Sequence, residues 1–322
     1  MPFQGTEEPA VKLTMADKLK FDDVRIILAD PRTHIRSTLK IALAHAEIEG
    51  IEHTGSVGNV AEAVEQAAGP DIVICDMALD GDGACNLVHG IRHNAMGRNP
   101  FVCVIGITWT PTATEVTRAI DSGVDHLVSA PLSPEQILTR ISALVRQRAP
   151  FVVTSDYVGP DRRKLRREAS KIPLFTVPNS LRDKANGTWD PARFDREIEN
   201  AIGDLNTRQV DRQAEDIMIL AGVVADQAIT KGDGFKSNVT QLHDMVQKMD
   251  HAASNQGLFH VSELCRACVG IVEEIRKSGG YDIQKDIELL KQLGRAIRTA
   301  LDPEHNSNKI AHDIAQVVSG AH

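Results

Sequence analysis

Long hydrophobic runs are missing from this chain, and aromatic residues are scarce, at 4% of 322 residues. No apolar stretch approaches the roughly 20 residues that a membrane-crossing helix needs, so no membrane insertion is expected. Residues 1–20 lack the hydrophobic core of a secretory leader, and the sequence reads as that of a cytoplasmic protein. Cysteine is also sparse: five residues, an odd number, fit reduced thiols better than a disulfide framework. With few rings available, Ala, Ile, Leu and Val must carry the core, which leans towards helix-rich packing. A basic surface is lacking as well. The formal charge is −8, with 13 Lys and Arg against 19 Asp and Glu in residues 1–150, and 15 against 20 in residues 191–322. Neither segment offers an obvious phosphate-neutralising face, so no DNA partner is expected.

What remains is an ordinary globular composition, 42% hydrophobic and 25% charged, long enough for about two domains. The first part alternates strand and helix. VRIILADP, from Val24, is a short apolar run ending in an acid and a proline, followed by a helical stretch with Ile35, Leu39 and Leu43. A weak strand at 51–57 precedes a short helix from Val60 to Ala68. IVIC at 72–75, closed by Asp76, reads as a buried parallel strand. Gly81 and Gly83 turn the chain into a helix through Leu87 and Ile91. FVCVIGIT at 101–108 is a fourth strand, a helix follows over 112–122, and Gly123 stops it. HLVSAP gives a fifth strand, and Ser133 with Glu135 opens a last helix ending near Arg148. Five such units predict a five-stranded parallel, doubly wound α/β sheet.

In such a sheet, ligands sit beyond the carboxyl ends of the strands. Asp30, Asp76, Thr108 and Ala130 fall there. Two carboxylates and a hydroxyl form a hard-oxygen set suited to magnesium and a phosphoryl group. The same residue types also cap strand ends with no further role. Spacing alone leaves both readings open.

Residues 24–148 resemble a response-regulator receiver domain, the phospho-acceptor module of two-component signalling. PDIVICDMALDGDG at 70–83 resembles the acceptor segment, VIGIT at 104–108 the fourth strand, and DSGVDHLVSAP at 121–131 the stretch leading through the fifth. The resemblance implies that Asp76 accepts the phosphoryl group and that Thr108 contacts it. It implies Mg²⁺ on Asp30, Asp76 and the backbone carbonyl of Ala78. It further implies a histidine kinase or phosphotransfer protein as donor, and no enzymatic turnover beyond aspartyl phosphorylation and its reversal. A cis Ala130–Pro131 bond belongs to the same pattern. The chain also departs from the family. Ala29 stands where a second acid is usual, which should weaken metal binding, and Ala130 replaces a lysine. Leu127 replaces an aromatic, and Trp109 a small residue. These changes mark an atypical receiver.

The domain plan from sequence is a tail at 1–22, the receiver at 23–149, a proline-containing basic linker at 150–190 and a helical bundle at 191–322. The linker packs Arg162, Arg163, Lys164, Arg166 and Arg167 together, either a solvated stretch or a contact for an anionic partner. Paired arginines also resemble the opening of PilZ domains, but the rest of that motif is absent. Asp190 and Pro191 start a helix. Val210, Ala214, Ile217, Ala221, Val224 and Ala228 then follow heptad spacing. Further stripes run over Val239–Ala253, Val261–Ile275 and Ile283–Leu301, with a short helix at Ile310, Ile314 and Val317, and together they predict an antiparallel bundle. The 210–228 stripe is expected to form a homodimer or dock a protein partner. Cys265 and Cys268 with His260 admit a metal or redox reading, but a structural zinc site needs four ligands. His243-Asp244 and His312-Asp313 resemble the dipeptide of HD phosphohydrolases. No histidine carries the Lys-Gly signature of a phosphotransfer bundle. The functional expectation is an atypical response regulator whose output runs through protein contacts of its helices. A constitutive pseudo-receiver scaffold and a phosphatase or phosphotransfer output are the alternatives.

Overall fold

The computed structural model describes residues 19–109, 112–163, 172–230, 234–278 and 284–301. The chain divides into two compact units. One holds the described residues up to Ala149 together with Val177–Ile198; the other holds Pro150–Thr176 and the residues from Glu199 onward.

The first unit alternates β1 (Arg25–Ala29), α1 (Thr33–His45), β2 (Gly50–Thr54), α2 (Val57–Glu65), β3 (Ile72–Asp76), α3 (Gly83–Arg92), β4 (Cys103–Thr108), α4 (Ala113–Asp121), β5 (His126–Ser129) and α5 (Pro134–Gln147). The strands form one parallel sheet in the order β2-β1-β3-β4-β5, the doubly wound sheet expected from the sequence. Every residue of β3 and β4 is buried, as the continuous apolar runs require, because helices cover both faces. Strand alternation feeds two cores. Ile26, Leu28, Ile72, Ile74, Ile105 and Ile107 pack with Leu39, Leu43, Ile137 and Ile141 on one side. Ile27, Ala29, Val73, Cys75 and Val104 pack with Val60, Val64, Leu87, Val88 and Ala119 on the other. Strand β2 stops at Thr54, three residues before the expected end, because Ser56 caps α2 by accepting the Gly58 N–H at 3.2 Å.

The stretch expected as an extended linker is largely folded. Strands β6 (Phe151–Val153) and β7 (Val158–Pro160) form an antiparallel hairpin, and Phe151 bridges to Phe175 with N–H donors at 2.7 and 2.8 Å. Pro160 is tolerated because its partner Phe151 makes both backbone hydrogen bonds with Phe175, so the hairpin asks for no N–H at Pro160, and it resumes with Asp161 N–H donating to Pro150 O at 2.8 Å. Helix α6 (Ser180–Ala185) belongs to the sheet unit, where Leu181 and Ala185 join its core. Its Asn179 cap accepts the Arg182 N–H at 3.0 Å and donates to the Leu144 carbonyl at 2.9 Å. Lys20, from the expected tail, donates its backbone N–H to Ala185 O at 2.9 Å. Of the basic cluster, Arg163 pairs with Asp161 at 2.6 Å, while Lys164, Arg166 and Arg167 lie outside the described residues.

The second unit carries long helices: α7 (Pro191–Thr230, whose first turns count with the sheet unit), α8 (Phe235–Asn255), α9 (Phe259–Ser278) and α10 (Gln284–Ala300). They share one apolar core. The 210–228 stripe is part of it: Val210, Ala214, Ile217, Ala221 and Val224 are all buried among the chain's own helices. The surface expected to dimerise or dock is therefore consumed inside the unit, since three further helices of the same chain cover it. Gly294 lets α10 approach α7; a Cβ there would lie 3.2 Å from Ala221 Cβ and 3.3 Å from Met218 Cα. The stripe at 310–317 and His312-Asp313 lie outside the described residues.

Candidate functional site

Beyond the carboxyl ends of β1, β3 and β4 lies a cavity of about 430 Å³ lined by Arg32, Asp76, Ala78, Thr108 and Trp109, with Arg118 and Glu115 at α4. Register puts these groups together: Ala29 pairs with Cys75, Asp76 with Ile107 and Thr108 with Ser129, so the three strands end side by side. Asp30 is fully buried and Asp76 and Thr108 nearly so. Thr108 Oγ1 donates to Ser129 Oγ at 3.5 Å, and the Ala130–Pro131 bond is cis. Asp76 Oδ1 accepts the Ala78 N–H at 3.0 Å, while the Ala78 carbonyl accepts the Gly81 N–H at 3.2 Å. Burial pushes the Asp76 carboxyl above the usual carboxylate range, and neighbouring Asp30 adds to this. The Ala78 N–H and the Arg32 guanidinium oppose it without cancelling it.

Arg32 is the residue that sequence reading missed. Its backbone N–H donates to Asp30 Oδ1 at 2.8 Å, an Asx-turn that the Asp-Pro-Arg order favours. The turn folds the guanidinium back onto the acids. Nε donates to Asp30 Oδ1 at 2.9 Å and Nη2 to Asp30 Oδ2 at 2.8 Å, a fork on one carboxylate, and Nη2 also reaches Asp76 Oδ2 at 2.6 Å. Trp109 lies against the guanidinium, with its ring centroid 3.6 Å from Cζ. A cation two residues after a strand-end acid was the available signal.

Leu127, which stands where the family has an aromatic, also has a place. Gly106 sits beneath Met77 and Leu127, and a Cβ there would lie 2.9 Å from Met77 and 3.0 Å from Leu127. Leu127 thus packs inward over β4, partly buried against the core. On the opposite side, Asp82 of the β3–α3 loop is ion-paired with Arg118 of α4, and Asp80 accepts the Val57 N–H at 2.9 Å.

The oxygen donors implied for Mg²⁺ do not fit it as arranged. Both carboxylates serve one guanidinium, and the Ala78 carbonyl closes a turn. Magnesium demands a near-octahedral oxygen set and dehydrates reluctantly. It would have to displace Arg32 or sit beside a like charge.

The other sequence candidates do not converge. Cys265 and Cys268 are buried in the helical core, and the nearby His260 Nε2 lies 3.2 Å from the Ala300 carbonyl. His243 lies 3.5 Å from both Asp244 and Glu273. Among the described residues, no group of three or more His, Cys, Asp or Glu residues could hold a metal ion. No described helix is long and apolar enough to cross a membrane.

A parallel sheet ordered β2-β1-β3-β4-β5, with an acid pair and a hydroxyl at its carboxyl edge, has the architecture of the receiver fold. The amino-terminal unit has the receiver fold and resembles response-regulator receiver domains; the helical unit has no assignment. No family model matches the chain. The chain is 26% identical over 84 residues to the phosphate regulon transcriptional regulatory protein PhoB of Klebsiella pneumoniae, covering 26% of this chain and 36% of that protein. It is 23% identical over 125 residues to PhoB of Pseudomonas aeruginosa, covering 39% of this chain and 53% of that one. The chain thus spans about a third to a half of the curated relatives it matches. A solved signal receiver domain from Clostridium thermocellum aligns with 38% of this chain and 96% of its own length, at 15% identity and a TM-score of 0.34.

These relatives correct one expectation. Both are transcriptional regulatory proteins by name, so the inference of no DNA partner does not stand. Net acidity was a poor ground for it, because phosphate binding needs only a local basic face, whatever the sign of the whole.

Proposed function

We propose that this protein is an atypical response regulator in a phosphorelay, with Asp76 as phospho-acceptor and the helical unit as output. One observation carries the reading: Asp76 sits at the carboxyl edge of β3 beside buried Asp30 and Thr108, in a cavity open to a donor. An Asp76 oxygen forms a bond to the phosphorus of a phosphohistidine or a small phosphoramidate. The P–N bond breaks and the departing nitrogen takes up a proton. Thr108 is placed to contact the phosphoryl oxygens, and Arg32, already on Asp76, supplies the counter-charge that Ala130 does not. Output passes through contacts of the helical unit with a macromolecular partner, using surfaces other than the buried 210–228 stripe.

Intact-mass analysis of the full chain after treatment with phosphoramidate tests this reading. One phosphoryl group is expected on the parent protein and none on Asp76→Asn. If the parent takes up none, with or without magnesium, the acceptor role fails and a constitutive scaffold is the better description.

A further inference from the structure

We infer that Arg32 is the resident cation of this site and keeps a divalent metal from the Asp30–Asp76 pair. The inference rests on reading those acids as the receiver pair proposed above.

Three features of the geometry point the same way. First, the guanidinium is locked rather than draped: the Asx-turn fixes its backbone, and two side-chain N–H groups grip Asp30 at 2.8 and 2.9 Å. Second, the same Nη2 spans to Asp76 at 2.6 Å, so one cation bridges both carboxylates, as a metal ion would. Third, Trp109 closes over the guanidinium at 3.6 Å, which gives a purpose to a bulky residue where the family has a small one. The other departures agree. A singly charged cation needs fewer acids around it, and Ala29 removes one. An arginine fork offers paired donors to phosphoryl oxygens, and Ala130 removes the lysine that would otherwise do so. Departures that look like decay at separate positions thus describe one rebuilt site. A phosphoryl group on Asp76 would draw the fork away from buried Asp30 and from Trp109, so the state of Asp76 is sensed at the Trp109 ring.

The test is magnesium titration of the full chain, followed by Trp109 fluorescence in a Trp189→Phe background, which leaves one tryptophan. The parent protein is expected to show no saturable response at millimolar magnesium. Arg32→Ala should gain one, with an apparent affinity about tenfold tighter or more. Arg32→Lys, which keeps the charge without the fork, should stay metal-insensitive. Arg32→Ala leaves buried Asp30 without its cation, so thermal unfolding of each variant is followed alongside, and Arg32→Lys keeps a charge beside Asp30 as the folded control. Equal metal affinity in the parent and in Arg32→Ala would overturn the inference. So would a lysine variant as responsive as the alanine one, or no response in any of the three. The titration needs no phosphoryl donor; failure of Asp76 to be phosphorylated would count against the proposed function and leave Arg32 to be decided on its own.

Discussion

Asp125→Asn is expected to be among the most destabilising single changes in the sheet unit. The Asp125 carboxylate is buried before β5 and accepts four N–H groups: Arg92 Nη2 at 2.9 Å, Arg148 Nε at 2.7 Å and Nη2 at 3.0 Å, and the Val104 backbone at 2.8 Å. The arginines in turn donate to carbonyls of Pro100, Phe101, Val102 and Gly123, tying the ends of α3 and α5 to the starts of β4 and β5. The asparagine keeps the shape but removes the charge, leaving two buried guanidiniums without their anion. Removing one partner of a buried pair costs about 3–5 kcal/mol. For a unit of this size that is a fall in Tm of roughly 6–20 °C. Both tryptophans, Trp109 and Trp189, lie in the sheet unit, so fluorescence-monitored urea or thermal unfolding reads it selectively. The pH dependence follows from the carboxyl's environment. Burial pushes the Asp125 carboxyl up, but the charges of Arg148 and Arg92 and the hydrogen bonds from Arg148 and Val104 outweigh it and hold it below the usual carboxylate range. Its contribution is therefore full above the unfolded value of about 3.9 and is lost as pH falls through the lower folded value. The gap between parent and variant should be constant near neutrality and shrink only in acid. A neutral-pH difference below about 0.5 kcal/mol would refute the reasoning.

Other outcomes can be checked in parallel. Gly294→Val should destabilise the helical unit by about 1–3 kcal/mol through overpacking against Ala221 and Met218, measured by helix loss in urea; no change in midpoint would deny that close approach. Leu181→Ala should cost about 2–5 kcal/mol in the sheet unit, because Leu181 is fully buried in that core; a negligible cost would mean α6 is not part of it. Cys268 should resist alkylation in the native state at pH 8, since burial pushes its thiol up to about 12, and rapid labelling would contradict its placement.

The fold of the sheet unit was largely legible because parallel strands buried on both faces leave continuous apolar runs such as IVIC and FVCVIGIT. The helices of the second unit were legible from their stripes, but not what the stripes touch. Val210–Ala228 reads identically whether a second chain or the same chain covers it. Helix α6 escaped notice because six residues among prolines show too little periodicity, and only Leu181 and Ala185 betray its buried face. Asp30, Asp76 and Thr108 could be placed from strand ends alone. Arg32 could not, since its role depends on a turn that brings a side chain back across two strand ends. The missing acid and lysine were visible as losses; the arginine showed only its place two residues after a strand-end acid, and its fork on both carboxylates is a feature of the fold.

The most direct measurement is the rate at which Asp76 takes a phosphoryl group from phosphoramidate in excess chelator and in excess magnesium, followed by intact mass. With Arg32 as the resident cation, the two rates should agree closely for the parent protein, and Arg32→Ala should be slowed in chelator. Phosphorylation of the parent that requires magnesium, or that proceeds equally well without Arg32 in chelator, would contradict the account.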